Sequence, residues 1–393
     1  MPIESGRVYS PPLWGGVVHL IKINRETCIN NRMNFSGGPG ALPESVLRKT
    51  RDAIEVLPET GLSVLGMSHR SEWFRGILDE AEQNLRHLLK IPGTHQVLFM
   101  QGGSSLQFSM LPMNFLRGHV AGADYLVTGY WSAKAPTEAR LEGITRVLWD
   151  GAPGLYKRLP RADELQFSPD AAYLHYVSNE TVEGLQFKAP PGLPGVPLAC
   201  DMSSDLLAAP IDVARHDFIY AHAQKNLGPS GVTLVILNDE FACRAGTGLP
   251  TLLDYRTHIA ARSNYNTPPV FAIYVLMLIT RWLRDEVGGL DAMAELNQRK
   301  SALVYAALDA HPEAFVPHAD LADRSLMNVA FKLRNENRNQ AFAAAAKAAG
   351  IHGLDGHRSL GGWRASLYNA ISLDEAQTLA NWLHDFAGDA SAY

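Results

Sequence analysis

From Met33 onward, short apolar runs alternate with longer amphipathic segments. The segments Ser71–Leu89 and Ser104–Leu116 have the apolar spacing of helices, whereas the short runs have the length of buried strands. This alternation is typical of an α/β domain built around a mostly parallel sheet. The predicted strands are Gln96–Met100, Tyr125–Thr128, Arg146–Trp149, Ala172–Val177, Pro197–Asp201, Phe218–Ala221 and Val232–Leu237.

The alternation of apolar and amphipathic segments changes after Gly288-Gly289. The pattern beyond this point predicts a smaller α+β domain. There, the long helices Leu290–Leu308, Asn339–Ala349 and Leu373–Phe386 flank strands at Ser325–Leu333 and Gly362–Leu367. We therefore expect four parts: a loosely ordered N-terminal extension (1–32), a segment associated with the small domain (33–44), a large domain (45–289) and a small C-terminal domain (290–393). For residues 1–32, a start-codon artefact and a transit peptide both remain open.

Composition excludes several classes of protein. The net charge of -5 and the absence of a basic surplus argue against nucleic acid and anionic membranes as partners. The most apolar stretch, Val270 to Thr280, is too short for a spanning helix, which needs about 20 residues. The three cysteines form no CxxC pair, so we expect neither a disulfide framework nor a metal site, and a reducing, cytoplasmic location fits.

The segment 221–231 places a single lysine, Lys225, between the apolar run 218–221 and a Gly/Pro turn. The pattern predicts strand, turn, strand, with the lysine at the end of a buried strand. Burial of an ammonium lowers its pKa. Such a lysine can attack a carbonyl as a free amine and hold it as a Schiff base, although a surface lysine is the simpler alternative.

An aspartate, Asp201, ends the apolar strand about two dozen residues upstream of Lys225. A lysine and a carboxylate at neighbouring strand ends are what pyridoxal phosphate (PLP) requires. The lysine takes the aldehyde, and the carboxylate keeps the pyridine nitrogen protonated so that the ring accepts electrons. A helix N-cap is the alternative role for Asp201 alone.

Three more strand ends carry groups that suit a flat, phosphorylated ligand. Gln101-Gly102-Gly103-Ser104-Ser105 opens a helix, where free N–H groups favour an anion, although a plain N-cap is equally compatible. Trp131 and Thr181 follow two other strands and can offer a stacking ring and a hydroxyl, although a lone Trp is more often part of the core. Together, these groups at successive strand ends favour one binding site.

Arginines beside histidines suggest a substrate with several negative groups. His69-Arg70 and His357-Arg358 form two such pairs, and Arg364 lies on a strand of the small domain. An arginine fork binds carboxylate or phosphate through two parallel hydrogen bonds. Surface ion pairs are the alternative for each one taken alone.

With these residues in view, the chain from Met33 to its C-terminus resembles the phosphoserine aminotransferase family, class V enzymes of the PLP-dependent transferase fold type I. It departs from many bacterial members at Ser104-Ser105, where they have Gly-Arg or Gly-Ala. The resemblance is carried by segments 34–39, 68–70, 101–103, 130–131, 178–181, 201–204, 223–226, 266–269 and 356–358, with Arg364.

The resemblance implies a homodimer with shared active sites, which transfers an amino group from L-glutamate to 3-phosphohydroxypyruvate. The products would be O-phospho-L-serine and 2-oxoglutarate, and some bacterial members also form 4-phosphohydroxy-L-threonine for pyridoxine biosynthesis. Catalysis is assigned to Lys225 and Asp201. The implied cofactor residues are Ser104, Ser105, Trp131, Thr181, Asp201, Gln224, Lys225, Asn266 and Thr267, the last two reaching the PLP of the partner subunit. Arg364 would hold the substrate α-carboxylate, whereas its phosphate or side-chain carboxylate would contact His69, Arg70, His357 and Arg358, the first two from the partner subunit.

Other functions on the same fold fit the sequence less well. A cysteine desulfurase-like lyase needs a nucleophilic cysteine near the C-terminal active-site loop, and no cysteine follows Cys243. An alanine–glyoxylate-type transaminase does not need the paired His-Arg motifs. A non-catalytic ligand-binding protein would lack the lysine or the aspartate, and both are present.

Overall fold

The computed structural model describes residues 31–388. Most of the predicted extension (1–32) lies outside the described residues, as do residues 389–393. The described helices are α1 (Glu44–Glu55), α2 (Glu72–Leu89), α3 (Gly103–Phe115), α4 (Ala135–Ala139), α5 (Asp239–Ala242), α6 (Tyr255–Ala260), α7 (Val270–Arg281), α8 (Leu290–Asp309), α9 (Asn339–Ala348) and α10 (Leu373–Gly388). The described strands are β1 (His95–Met100), β2 (Ala123–Val127), β3 (Thr145–Asp150), β4 (Leu174–Val177), β5 (Asn179–Glu180), β6 (Leu185–Gln186), β7 (Leu198–Asp201), β8 (Phe218–His222), β9 (Thr233–Asn238), β10 (Phe315–Pro317), β11 (Asn328–Leu333) and β12 (Trp363–Ser366).

The main sheet has seven strands in the order β1-β9-β8-β7-β4-β2-β3. Strand β9 runs antiparallel to both of its neighbours, and the other pairs are parallel. All seven strands predicted from the sequence are present, with ends shifted by a few residues. The predicted α/β fold with a mostly parallel seven-stranded sheet is therefore confirmed.

Helices cover both faces of this sheet, as the continuous apolar runs require. Successive side chains of β1 point to opposite faces: Val97 and Phe99 join the core formed with α2 and α7, whereas Leu98 and Met100 join the core formed with α3. Helix α2 begins where the sequence predicts, because the Ser71 hydroxyl accepts a hydrogen bond from Phe74 N at 3.2 Å. The two cores thus hold the sheet rigid beneath its loops.

A separate core belongs to the three-stranded antiparallel sheet β10-β11-β12 and helices α8, α9 and α10. Phe342 lies at its centre, with its ring centroid 4.4 Å from that of Trp363 and 4.9 Å from that of Phe386. Phe35 and Ala41, from before α1, pack into the same core. We propose on this basis that 33–44 associates with a small domain beginning near residue 290.

The carboxyl ends of the parallel strands meet at one edge of the main sheet. Val177 of β4 pairs with Asp201 of β7, and Asp201 pairs with Tyr220 of β8. The chain leaves β8 at His222 and passes through a tight turn, in which Leu227 N donates to Ala223 O at 3.1 Å. This turn carries Lys225, so the predicted strand–turn–strand arrangement is present.

Candidate active site

A cavity of about 600 Å³ opens at this edge of the sheet. It brings together most of the site residues predicted from the sequence: Ser104, Ser105, Trp131, Thr181, Asp201, Gln224, Lys225, His357 and Arg364. His69, Arg70, Asn266, Thr267 and Arg358 are outside its lining. The cavity also includes residues that the sequence analysis did not assign, among them Ser203 and His222.

Lys225 is partly buried in the turn after β8. Burial lowers the pKa of Lys225, with Asp201 opposing the shift and the Arg364 guanidinium adding to it. Its Nζ lies 6.0 Å from the centroid of the Trp131 ring. A lowered pKa increases the fraction of free amine, which is the form that attacks an aldehyde and accepts a proton from carbon.

A second buried lysine, Lys300 on α8, provides a comparison. Its Nζ donates to Leu367 O at 3.1 Å and to Tyr368 O at 3.0 Å, and burial lowers its pKa to about 7. Lys300 does not line the cavity. Its amine is committed to backbone carbonyls, so a low pKa alone does not mark the reactive lysine.

Asp201 lies at the end of β7 and is 5% exposed. Its Oδ1 accepts hydrogen bonds from the backbone N of Ser203, at 2.8 Å, and from the Ser203 hydroxyl. Burial raises the pKa of Asp201, and the Lys225 charge and the Ser203 hydrogen bonds act in the opposite direction. A carboxylate held in this way is suited to pair with a protonated ring nitrogen.

The N-terminus of α3 forms one wall of the cavity. Gly102 and Gly103 have φ values of +92° and +70°, and a Cβ on Gly102 would lie 2.3 Å from Leu106 Cδ2. Glycine is therefore required at position 102, and the turn leaves the first N–H groups of the helix without intrahelical acceptors. Such a terminus favours an anion such as phosphate.

The turn that carries Trp131 is held by two buried carboxylates that the sequence analysis did not assign. Glu180 accepts hydrogen bonds from Trp131 N at 3.2 Å and from Ser132 N at 2.9 Å, and Glu183 accepts one from Tyr130 N at 2.9 Å. The indole Nε1 of Trp131 donates to the Thr181 hydroxyl at 3.1 Å. Hydrogen bonds from both the backbone and the indole ring of Trp131 thus fix the orientation of the indole plane.

Glu180 and Glu183 also affect each other's protonation. Burial, together with the nearby Glu180, raises the pKa of Glu183 to about 8, and burial raises that of Glu180. The second oxygen of Glu183, Oε2, is buried and has no hydrogen-bond partner among residues 31–388. One of the two carboxyl groups therefore holds a proton at neutral pH.

Arg364 enters the cavity from β12. Its Nη1 donates to Thr181 O at 2.9 Å, and its Nη2 lies 1.8 Å from where a Cβ on Gly37 would be. Gly37 is thus required for the guanidinium to fit. At the cavity mouth, the His357 ring packs on Tyr130 with centroids 4.5 Å apart. Lys134 and Arg358 lower the pKa of the Tyr130 hydroxyl, so both cations lie near it.

The remaining predicted residues lie elsewhere in the same chain. Arg70 is exposed and lines a different cavity with Asn264, whose side chain donates to His69 O at 2.9 Å. Thr267 is exposed, and its carbonyl accepts a hydrogen bond from Gln101 Nε2 at 2.8 Å. Asn266 lines a third cavity. The assignment of these four residues to the site of a partner subunit stays a prediction.

The cavity satisfies the chemical requirements of PLP. It offers an amine with a lowered pKa in Lys225, a buried carboxylate in Asp201, an oriented indole in Trp131 and a helix N-terminus for the phosphate. No group of three or more His, Cys, Asp or Glu side chains within 31–388 could hold a metal ion. In the same part of the chain, no helix is long and apolar enough to cross a membrane.

The family model "Aminotransferase class-V" matches residues 32–379. The chain is 47% identical over 353 residues to the phosphoserine aminotransferase of Geobacillus kaustophilus, covering 90% of this chain and 97% of that protein. It is 43% identical over 359 residues to the phosphoserine aminotransferase of Rhodopirellula baltica, covering 91% and 96%.

The chain is also similar to solved structures of phosphoserine aminotransferases. The phosphoserine aminotransferase of Bacillus circulans subsp. alkalophilus superposes with a TM-score of 0.88 at 42% identity, covering 91% of this chain and 98% of that one. A PLP-bound phosphoserine aminotransferase from Trichomonas vaginalis superposes with a TM-score of 0.84 at 36% identity, covering 90% and 99%.

Proposed function

The chain belongs to the class-V aminotransferase family, and from this premise we propose that it acts as a phosphoserine aminotransferase. In the proposed reaction, L-glutamate and 3-phosphohydroxypyruvate give 2-oxoglutarate and O-phospho-L-serine. The cofactor is PLP. The observation that carries the proposal is the gathering of Lys225, Asp201, Trp131 and Arg364 in one cavity beside the N-terminus of α3.

When bound, PLP supplies an aldehyde that accepts the amino group and a ring that withdraws electrons from the substrate α-carbon. Lys225 Nζ removes the α-proton of glutamate in the first half of the cycle and returns a proton to the α-carbon of the product in the second. Its lowered pKa suits both tasks, because it increases the fraction of free amine that can take the proton and makes the resulting ammonium a stronger acid.

Asp201 and Trp131 set the position of the ring on which this chemistry depends. The Asp201 carboxylate stabilises a protonated ring nitrogen, and its two hydrogen bonds from Ser203 keep it oriented. Trp131 is fixed by Thr181 and Glu180 and offers a flat surface for stacking. Asp201 and Trp131 would thus be the residues that hold the ring, while Lys225 moves the proton.

We assign the two anionic ends of the substrate to different side chains. Arg364, held by its hydrogen bond to Thr181 O, takes the α-carboxylate that both substrates share. His357 lines the cavity and Arg358 lies near the neighbouring Tyr130 hydroxyl, and these two residues take the phosphate of the keto acid or the side-chain carboxylate of glutamate. The support for this division is that Arg364 is half-buried inside the cavity, whereas Arg358 is exposed.

We also propose a homodimer in which each site is completed by its neighbour. His69, Arg70, Asn266 and Thr267 would extend the substrate and phosphate sites of the partner subunit. Their position outside the cavity of their own chain supports this assignment. Arg70 and Thr267 are exposed in the single chain. Residues that contact a partner subunit must be exposed when one chain is considered alone.

Two finer assignments complete the proposal. The four-carbon phosphorylated keto acid that leads to 4-phosphohydroxy-L-threonine and pyridoxine carries the same two anionic ends, and we propose it as a second substrate. We propose the cytoplasm as the location. The free thiols of Cys200 and Cys243, the latter exposed, are compatible with a reducing compartment.

Glutamate-dependent amination of keto acids tests the proposed function. Purified holoenzyme should aminate 3-phosphohydroxypyruvate with a kcat/KM at least about 30-fold above that for pyruvate or hydroxypyruvate, because a charged contact to the phosphate contributes on the order of 2–5 kcal/mol. Equal rates with the unphosphorylated acids would reject the substrate assignment and leave the transaminase assignment intact. The four-carbon phosphorylated acid, assayed in parallel, tests the second substrate.

A further inference from the structure

His222 is the last residue of β8 and lies, half-buried, in the wall of the cavity. Its ring stands beside the turn that opens α3. The Nδ1 and Cε1 atoms are each 3.6 Å from where a Cβ on Gly103 would be. Gly103 has no side chain, so this edge of the imidazole faces the proposed phosphate site directly.

The hydrogen bonds of His222 define which ring nitrogen carries the proton. Gly231 N donates to Nε2 at 3.4 Å, so Nε2 is an acceptor without a proton. Burial and the Lys225 charge lower the pKa of His222, whereas a hydrogen bond with the Gln224 side chain raises it, and the net lowering favours the neutral ring at pH 7. In a neutral imidazole whose Nε2 accepts, the proton is on Nδ1. A donor therefore points toward Gly103.

The hydroxyl of Ser104 is not free to serve as that donor. Ser203 Oγ donates its hydrogen to Asp201 and accepts a hydrogen bond from His222 N at 3.2 Å. The Ser104 and Ser203 hydroxyl oxygens are 2.6 Å apart, so Ser104 must be the donor to Ser203. The hydrogen of Ser104 is thus committed to the Asp201 network, and Ser104 can contact a phosphate only through its backbone N–H.

We propose that His222 binds the cofactor phosphate, donating a hydrogen bond from Nδ1–H beside the N-terminus of α3. This inference rests on the assignment of PLP as cofactor. His222 supplies the side-chain donor that Ser104 cannot, and its backbone N–H bond to Ser203 couples the phosphate site to the carboxylate that serves the ring nitrogen. The phosphate and ring ends of the cofactor are thereby held by one hydrogen-bonded network.

Equilibrium binding of PLP and of pyridoxal to the apo-protein tests the proposal. Both ligands present the same aldehyde to Lys225, and only PLP has the phosphate. His222→Ala should raise the dissociation constant for PLP about 10- to 100-fold, as expected for losing a hydrogen bond to a charged group, and should change that for pyridoxal less than about threefold.

Two amide variants provide the control for folding and shape. The Asn amide nitrogen can occupy the place of Nδ1, whereas the Gln nitrogen reaches the place of Nε2. His222→Asn should therefore restore PLP binding to within about fivefold of wild type, and His222→Gln should not. Equal losses for PLP and pyridoxal, or PLP binding by His222→Ala within twofold of wild type, would overturn the role of His222. Failure of the wild-type protein to bind PLP would instead reject the cofactor assignment.

Discussion

The two halves of the cavity are built in different ways. The half that contains Lys225 and Asp201 rests on the carboxyl end of one sheet. Asp201 ends β7, where Ser203 holds its carboxylate, and Lys225 lies in the turn after β8. The half that would bind substrate anions draws on separate parts of the chain, with Arg364 on β12 inside the cavity, Arg358 exposed before β12, and Arg70 exposed before α2 and lining a different cavity. In the proposed function, proton transfer thus depends on residues carried by the main sheet, and substrate recognition depends on residues outside that sheet.

The largest expected effect is on the cofactor half. Lys225→Ala should reduce turnover by at least about 10⁴-fold, because the general base and the point of covalent attachment are both lost. Arg364→Ala, in the other half, should instead weaken substrate binding and leave covalent attachment of PLP intact. Steady-state rates and the visible spectrum of each variant check this difference. If Lys225→Ala kept more than one per cent of wild-type turnover, the catalytic base would not be Lys225, and the two halves of the cavity would not differ in the way proposed.

Asp201→Asn should preserve the fold and reduce kcat by about 100- to 1,000-fold, because a neutral amide no longer stabilises a protonated ring nitrogen. Asp205→Asn is a matched control. Asp205 is a nearby aspartate whose pKa is also raised by burial, but its partners are Ser178 and Gln186 and it does not line the cavity. The control should keep kcat within a few-fold of wild type. Similar losses in both variants would indicate a structural rather than a catalytic role for Asp201.

In the proposed homodimer, each active site takes its cofactor residues from one subunit and part of its substrate-binding residues from the other. If Arg70 serves the neighbour's cavity and Lys225 serves its own, a heterodimer of Arg70→Ala and Lys225→Ala subunits has one site with both defects and one with neither. A random 1:1 mixture of exchanging subunits should recover roughly a quarter of wild-type activity. Arg70→Ala alone should lose on the order of 2–5 kcal/mol of substrate binding. Verified heterodimers that show no recovery would place Arg70 in its own site.

The smallest expected effect lies at the boundary between the halves, in the carboxyl groups that hold the Trp131 turn. The pKa of Glu183 is raised to about 8. The folded state therefore retains a proton that the unfolded state releases near pH 4.5. As a result, the contribution of Glu183 to the free energy of unfolding falls as the pH rises from about 4.5 to about 8, by at most about 1.4 kcal/mol per pH unit.

Glu183→Gln keeps a neutral donor at this position and should remove that pH dependence. Urea unfolding of the apo-protein at pH 6 and pH 9 should show the variant to be more stable than wild type at pH 9, with a smaller difference at pH 6. The exposed Glu336→Gln is the control and should follow wild type at both values. Parallel behaviour of Glu183→Gln and wild type would mean that Glu183 is ionised throughout.

The sequence predicted the sheet because its strands are buried on both faces and appear as continuous apolar runs, such as Val97 to Met100. The sequence predicted Lys225, Asp201 and Trp131 for a related reason, since polar or aromatic residues at or a few positions after the end of such runs are conspicuous. Glu183 and His222 were missed. A glutamate inside a loop resembles a solvent-exposed one, and the role of His222 depends on the distant Gly103 and Gly231.

The position of PLP attachment tests the central claim most directly. Borohydride reduction of the holoenzyme, followed by peptide mapping, should place the reduced cofactor on Lys225 alone. Lys300 is the informative alternative, because burial lowers its pKa to about 7 while its Nζ remains bonded to Leu367 O and Tyr368 O outside the cavity. Label on Lys300 or on any other lysine in place of Lys225 would contradict the account.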